Sequence, residues 1–252
     1  PLHVSRSSEA RLNSSLAFPM SARYFPSPVM LRSLPLLFVV AATVIPLTGA
    51  AQSLAKPKFT GAESCSTSGC HGGGTGNNQF YTWQKKDFHS RAHAILTTTR
   101  SVRMAESLKI EDAAKSARCN VCHSPLEALP RDRFVAKAKI DKGVSCESCH
   151  GPAEPYLRYH TRPDLTFEQR IAGGLRDLKG FYSRANACVA CHLNIDAELV
   201  KAGHPEMFFE LDGQCAAQPP HWTDEGSWLG PQRWLTGQAV ALRELSWKLA
   251  AK

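Results

Sequence analysis

Four cysteine pairs, each followed directly by a histidine, constrain this chain more than any other feature of its sequence. Eight of its nine cysteines belong to these pairs. Any fold for the chain must bring each pair and its histidine to one place. Three pairs have two intervening residues, and the first, in CSTSGCH, has four. The four groups are Cys65/Cys70/His71, Cys119/Cys122/His123, Cys146/Cys149/His150 and Cys188/Cys191/His192.

The C-x-x-C-H spacing is the attachment signature of c-type haem. Two thiols add to the vinyl groups of the porphyrin, and the adjacent imidazole binds the iron from one face. The sequence therefore predicts four covalently attached c-type haems with iron. The first site has the less specific spacing, although its trailing His71 and the three glycines that follow favour the same interpretation.

Two other uses of paired cysteines explain less. C-x-x-C is also a zinc spacing, and disulfides are common in exported proteins. Neither use requires a histidine after every second cysteine, and a disulfide that closes so short a loop is strained. The ninth cysteine, Cys215, is interpreted as a buried thiol. A disulfide to another molecule and thiolate ligation stay open for it.

Five other histidines are candidates for the second axial position on the four irons. Methionine is the other common axial ligand, but beyond residue 51 only Met104 and Met207 are available. The composition therefore favours bis-histidine, low-spin haems of fairly low potential. The candidates are His89, His93, His160, His204 and His221.

These candidates differ in their surroundings. His89 and His93 are four residues apart on one predicted helical face, about 5–6 Å from each other at Cβ. Two ligands so close would crowd two haems, so we expect His89 to bind iron and His93 to be its neighbour. His204 lies in a Gly-His-Pro turn. His221 and His93 stay open as the fourth distal ligand.

His160 follows His150 by ten residues. We expect it to bind the iron of a neighbouring haem rather than the haem at Cys146 and Cys149, because a relay benefits from segments that tie adjacent haems together. Which distal histidine serves which haem does not follow from spacing.

The amino-terminal segment predicts export. Residues 30–51 contain a basic Arg32, an apolar core at 34–45 and small residues before Gln52, as a signal peptide does. The core is shorter than the roughly 20 residues of a membrane span, so no stable membrane insertion is expected, and a retained anchor is the alternative. Residues 1–29 are interpreted as an upstream extension outside the protein. The prediction is a periplasmic tetrahaem domain over residues 52–252, with membrane association left open.

The fold class predicted is mainly α with extensive loops, because no stretch alternates as a strand does. Helical spacing indicates helices within residues 79–97, 110–119, 165–172, 183–191 and 231–250, and residues 134–140 are read as a short strand. In the last helix, Leu235, Leu242, Leu245 and Leu249 are predicted to form the packed face. Four haems leave little room for a separate protein core, so the porphyrin faces are expected to supply much of it.

Charge excludes one class of partner. The formal net charge is +8, and residues 1–51 hold four arginines and one glutamate, so removing their +3 leaves +5 on residues 52–252. Haem propionates would offset most of this charge. No basic run is interleaved with aromatic residues, so nucleic-acid binding is not expected.

Four segments carry a family resemblance: GVSCESCHGPAEPYLRYH (143–160), DFHSRAHAIL (87–96), AGHPEMFFEL (202–211) and PPHW (219–222). Together they resemble the multihaem, tetrahaem cytochrome c family of the cytochrome c-554 type, over most of residues 61–245. The resemblance implies a multihaem cytochrome c fold organised around four closely spaced haems, and it supports His89, His160 and His204 as distal ligands. It also implies small periplasmic proteins that pass electrons between redox enzymes.

The function predicted is an electron carrier between a donor and an acceptor redox protein, with no catalytic residue assigned. The alternative is a haem enzyme acting on a small nitrogen or oxygen species at one five-coordinate haem. Five candidate histidines suffice for four irons, which favours the carrier. Oligomerisation is left open.

Overall fold

The computed structural model describes residues 56–140, 142–223 and 228–250. The predicted upstream extension and signal peptide lie outside these residues. Within them the chain is mainly helical, as predicted, and the β structure is an isolated parallel bridge between Phe59 and Phe134. None of the described helices is long and apolar enough to cross a membrane.

Short helices and turns alternate along the chain. The α-helices are α1 (Gln79–Lys86), α2 (Thr99–Ser107), α3 (Ala117–His123), α4 (Cys146–His150), α5 (Phe167–Ala172), α6 (Phe181–His192), α7 (Ala197–Lys201), α8 (Leu211–Ala217) and α9 (Gly230–Ala250). Short 3₁₀ helices span Ala62–Cys65, Phe88–Thr97, Arg131–Arg133 and Tyr159–Thr161.

Three helices end at the histidine of a C-x-x-C-H motif. They are α3, α4 and α6, which end at His123, His150 and His192. On a helix, residues three apart are neighbours on one face, so the two cysteines of each motif lie side by side. Helix α4 is only five residues long and begins with a capping box between Ser145 and Ser148. The first motif instead begins at the last residue of the 3₁₀ helix Ala62–Cys65 and continues on turns.

Several predicted boundaries were wrong. The predicted helix over residues 79–97 breaks at Asp87, which caps the 3₁₀ helix that follows by accepting a hydrogen bond from the His89 amide. The helix predicted to open near residue 110 begins only at Ala117, because Asp112 holds the preceding residues in a turn. The strand predicted at 134–140 is limited to the bridge at Phe134 and gives way to a turn.

Helix α9 forms where predicted, but its packed face is not the leucine face. The four leucines at 235, 242, 245 and 249 are between 43% and 69% exposed. Gly237, Val240 and Ala241 are buried instead, against α6 and α8. A Cβ at Gly237 would lie 2.8 Å from the Cβ of Leu211, so the absent side chain lets α8 and α9 approach closely.

The apolar side chains that contact one another form three small clusters. The largest joins α6, α8 and α9 through Ala185, Val189, Phe209, Leu211, Cys215, Val240 and Ala241. The second contains Phe59, Leu126, Phe134 and Ala138, and the third contains Leu96, Ala105 and Ala113. Cys215 is buried in the largest cluster, as expected of a small apolar thiol.

Candidate functional site

One connected cavity of about 2110 Å³ runs through the described part of the chain. Every cysteine of the four pairs lines it, and so does every histidine that follows a pair. Four of the five candidate distal histidines also line it: His89, His160, His204 and His221. The sequence-predicted site residues, scattered over 157 positions from Cys65 to His221, are therefore brought to one interior space.

Inside the cavity each motif histidine faces one distal histidine. The ring centroids are 6.2 Å apart for His71 and His160, 5.9 Å for His89 and His192, 6.3 Å for His123 and His204, and 6.4 Å for His150 and His221. The first pair of rings is nearly parallel, at 8°, and the other three lie at 69–74°.

These separations fit one metal ion between the two rings of each pair. Metal–imidazole bonds of about 2 Å on both sides, plus about 1.1 Å from each nitrogen to its ring centre, give roughly 6 Å between centroids. Among the residues that the structure describes, no three His, Cys, Asp or Glu side chains converge as a cage for a bare metal ion. The residues present therefore fit haem iron with two axial imidazoles better than a zinc cage.

The backbone and side chains around the histidines orient their metal-binding nitrogens. In four of these histidines, Nδ1 donates a hydrogen bond to a neutral oxygen. His71 donates to the side-chain oxygen of Gln79 (3.1 Å). The other three donate to backbone carbonyl oxygens: His123 to Ala92 (3.0 Å), His160 to Tyr156 (2.8 Å) and His204 to Pro205 (2.8 Å). Because these oxygens only accept, Nδ1 carries the proton. The lone pair of Nε2 is then free to bind a metal.

His89 differs in its Nδ1 partner, which is a carboxylate. Its Nδ1 lies 2.9 Å from Oδ1 of Asp87. Asp87 is 3% exposed and also accepts hydrogen bonds from the His89 amide and from Nε2 of Gln218, at 3.0 Å each. Burial raises the pKa of Asp87, but the hydrogen bonds outweigh it and lower the pKa to about 2. The carboxylate is therefore ionised at neutral pH.

Burial keeps several of the facing histidines neutral, which is the form that binds metals. Burial and the neighbouring histidines lower the pKa of His150 to about 4. Burial is also the main cause of the lowered pKa of His123, His192 and His221.

His93, the other candidate for the fourth distal position, lies outside the cavity lining. It is 8% exposed, its Nε2 lies 3.0 Å from the carbonyl oxygen of Ala114, and Glu127 lies 3.5 Å away. His93 therefore supports the turn before α3, and His221 is the residue placed opposite His150. His160 is placed opposite His71.

Glu147, inside the CESCH motif, is a structural residue that the sequence analysis missed. It is 1% exposed. Its carboxylate accepts hydrogen bonds from the amides of Thr60, Gly61 and Ala153 at 2.7–3.0 Å. It thus ties the loop of the first site to α4. Its burial could have been predicted from its position, because Glu147 lies between two cysteines that were themselves predicted to bind an interior haem.

The four sites are near one another. A hydrogen bond with Cys191 lowers the pKa of the Cys122 thiol, so the second and fourth motifs touch. His150 is close enough to His71 and His160 for their charges to contribute to its lowered pKa, which brings the third site beside the first. Burial raises the pKa of the Cys188 thiol, and Cys149 lies close enough for its charge to raise that pKa further, which brings the third site beside the fourth.

Comparison with known proteins shows what the chain is similar to. Residues 64–151 match the family model described as "Cytochrome c554 and c-prime". A curated relative, cytochrome c-554 of Nitrosomonas europaea, is 26% identical over 168 residues, which cover 63% of this chain and 67% of the relative. Both matches support a similarity to the cytochrome c-554 type. No solved structure matches the chain.

This similarity indicates a c-type cytochrome of the electron-transfer class. The matched residues contain the first three motifs and end just beyond His150. The fourth motif lies beyond that match, at the end of α6.

Proposed function

We propose that this chain is a periplasmic tetrahaem cytochrome that relays single electrons between redox partner proteins. The observation that carries the proposal is the pairing inside the cavity. Each of the four Cys-Cys-His groups faces one distal histidine across about 6 Å.

Each haem would be held by two thiols and two imidazoles. The four sets are Cys65/Cys70 with His71 and His160, Cys119/Cys122 with His123 and His204, Cys146/Cys149 with His150 and His221, and Cys188/Cys191 with His192 and His89. Bound haem supplies one-electron chemistry at its iron. The residues of this chain attach and orient the group, exclude water and set its potential.

The order of the sites supports a relay. The second site contacts the fourth, the fourth lies beside the third, and the third lies beside the first. One distal ligand also links two sites. His160 follows the third motif in the chain, but it faces His71 of the first motif. Such links fix the distance between neighbouring haems, on which electron transfer depends.

Spin state tests the proposal against the enzyme alternative. Iron with two imidazole ligands is low-spin, so the oxidised protein is expected to show only low-spin ferric signals by electron paramagnetic resonance. A high-spin ferric signal in the native protein that changes on adding nitric oxide would overturn the carrier proposal.

A matched variant provides the positive control for this experiment. His204→Ala removes one proposed distal ligand and leaves His123 and both thiols of that site in place. It is expected to convert one haem of four to a high-spin form that binds nitric oxide. His93→Ala, which changes a histidine outside the cavity lining, is expected to leave the spectrum low-spin.

Export is part of the same proposal. Residues 30–51 are proposed as the signal peptide and residues 52–252 as the tetrahaem domain. Amino-terminal sequencing of haem-loaded protein from a periplasmic extract tests this. A start near Gln52 is expected, whereas recovery of the haem-loaded protein only from the cytoplasm would contradict it.

A further inference from the structure

The exposed face of α9 is an apolar surface that the relay does not use. We define the leucine seam as Leu235, Gln238, Leu242, Leu245 and Leu249, with Trp234 beside it. Trp234 is 51% exposed and the leucines are 64%, 67%, 43% and 69% exposed in chain order. No residue of α9 lines the cavity, so the seam is not a haem-contacting surface.

The spacing of the leucine seam is that of a coiled coil. Its members are separated by 3, 4, 3 and 4 residues, which is the a/d repeat that faces a partner helix. Helix α9 is 21 residues long, and the seam spans 15 of them, which is about two heptads. The neighbouring face of the same helix, with Gly237, Val240 and Ala241, already packs on α6 and α8. Helix α9 therefore has two apolar faces. One packs on α6 and α8 of the same chain, and the other, the leucine seam, is exposed.

The area of the seam matches a protein interface. Its exposed leucines and Trp234 present on the order of 600 Å² of apolar surface. A standard interface buries about 800 Å² per partner, a little over half of it non-polar. The seam alone therefore supplies the apolar part of a stable interface.

The charges beside the seam do not favour a membrane surface. A helix that lies on a membrane carries free lysine and arginine beside its apolar face. The three basic side chains of α9 are engaged within the chain: Arg233 with Asp212, Arg243 with Glu244 and Tyr182, and Lys248 with the carbonyl oxygen of Ile195.

We propose that the leucine seam joins two copies of this chain in a symmetric dimer. A two-fold axis places the same seam on both sides of the interface, so one self-complementary stripe is sufficient. Gln238 is the polar member of the seam, and a single polar position in such a repeat fixes the register of the two helices.

Sedimentation of the haem-loaded protein over a hundredfold range of concentration tests the dimer. The native protein is expected to be a dimer at the upper concentrations. The double variant Leu242→Glu/Leu245→Glu is expected to be a monomer throughout, with unchanged haem content because both side chains are exposed. The matched control Gln232→Glu, on an exposed position outside the seam, is expected to stay dimeric. A native protein that is monomeric at every concentration, or a double variant that remains dimeric, would overturn the proposal.

A second inference concerns Asp87 and rests on the proposed ligation of one haem by His89 and His192. A carboxylate that accepts the Nδ1 proton makes an imidazole a stronger donor to its metal. Such a ligand stabilises ferric over ferrous iron. The Nδ1 partners at His71, His123, His160 and His204 are neutral amide oxygens.

We infer that Asp87 holds the reduction potential of the haem at His89 and His192 below the value that a neutral partner would give. Asp87 is a positioning residue, since it acts through His89. Gln218 weakens this effect of Asp87 on His89, because the Gln218 amide donates a hydrogen bond to Oδ2 of Asp87.

Two substitutions of opposite sign test this inference by potentiometric titration of the four low-spin signals. Asp87→Asn keeps an acceptor for His89 and removes the charge, so one potential of four is expected to rise. Gln218→Ala frees the carboxylate from a competing donor, so the same potential is expected to fall. Asp87→Glu is expected to restore most of the native value.

The control for a general charge effect is Asp164→Asn, which removes an equal charge at an exposed ion pair with Arg162. It is expected to move none of the four potentials appreciably. Four unchanged potentials in Asp87→Asn, or four that shift together, would overturn the inference. A haem count below four in the native protein would instead contradict the proposed function, so the two failures are distinguishable.

Discussion

The carboxyl-terminal helices and the region around the first three motifs are held together in different ways. In α6, α8 and α9, buried side chains such as Leu211, Val189 and Val240 contact one another in one cluster. Around the first three motifs, large side chains such as Phe88 and Ile95 line the cavity, and a buried carboxylate at Glu147 joins the loops. Under the proposed function, we expect the first region to be stabilised mainly by protein packing and the second to depend more on haem bound in its cavity.

The largest effect is expected from blocking haem attachment at the third site, which lies beside two others. In Cys146→Ser/Cys149→Ser, hydrogen exchange is expected to lose protection across residues 56–165, because haem binding supplies folding free energy there. Helices α6, α8 and α9 are expected to keep more of their protection. Measurement by mass spectrometry resolves both regions in one sample.

The control for this experiment is Cys215→Ala, which changes a cysteine outside the four motifs and is expected to retain four haems. Equal loss of protection in both regions of the double variant would show that they are not stabilised separately.

The next effect concerns packing alone. Leu211 is fully buried in the largest cluster, and Leu211→Ala is expected to lower the free energy of unfolding by about 2–5 kcal/mol through lost burial and a residual cavity. Denaturant unfolding followed by circular dichroism measures it. The haem spectra of the folded variant are expected to be native. Val102→Ala, at a position 46% exposed, should cost far less; equal costs would contradict the role given to the cluster.

A smaller effect is expected at the polar anchor of the other region. Glu147→Gln loses charge-assisted hydrogen bonds to backbone amides and is expected to destabilise the protein by about 2–3 kcal/mol. Exchange of the amides of Thr60 and Gly61 should rise first. The matched control is Glu154→Gln, which accepts a bond from the Lys58 amide at an exposed position and should have little effect. Similar results for both variants would argue against an anchoring role.

The smallest effect tests the contact between α8 and α9. Glycine to alanine inside a helix normally stabilises by about 1 kcal/mol. At Gly237 the new Cβ would lie 2.8 Å from Leu211 Cβ and 3.0 Å from Leu211 N, and such overpacking costs about 1–3 kcal/mol. Gly237→Ala is therefore expected to be neutral or destabilising by up to about 2 kcal/mol in thermal unfolding. A clear gain in stability would show that the helices are less closely packed.

The sequence predicted which residues gather around the cavity better than it predicted the packing. The spacing of each Cys-Cys-His group can be seen within a few residues, so all four groups were found from the sequence. The helix that carries the fourth group was also predicted. The distal partners depend on how segments meet, and spacing alone left His93 and His221 undecided. The buried face of α9 was predicted wrongly because four regularly spaced leucines outweighed Gly237 in the pattern, whereas the fold uses the glycine for close approach.

Two other features needed tertiary context. Phe134 has a strand-like sequence around it, but within the described part of the chain its β partner is the single residue Phe59, so a bridge forms and not a strand. Glu147 lies between two motif cysteines, but only the folded chain shows that the amides of three residues donate hydrogen bonds to its carboxylate.

Haem-to-protein stoichiometry tests the central claim most directly. The purified protein, assayed by the pyridine haemochrome spectrum against protein concentration from amino-acid analysis, is expected to contain four haems per chain. Cys65→Ser/Cys70→Ser, which removes the widely spaced first site, is expected to contain three. A native ratio of three or fewer would contradict the account, and a ratio unchanged by the double variant would show that the first site binds no haem.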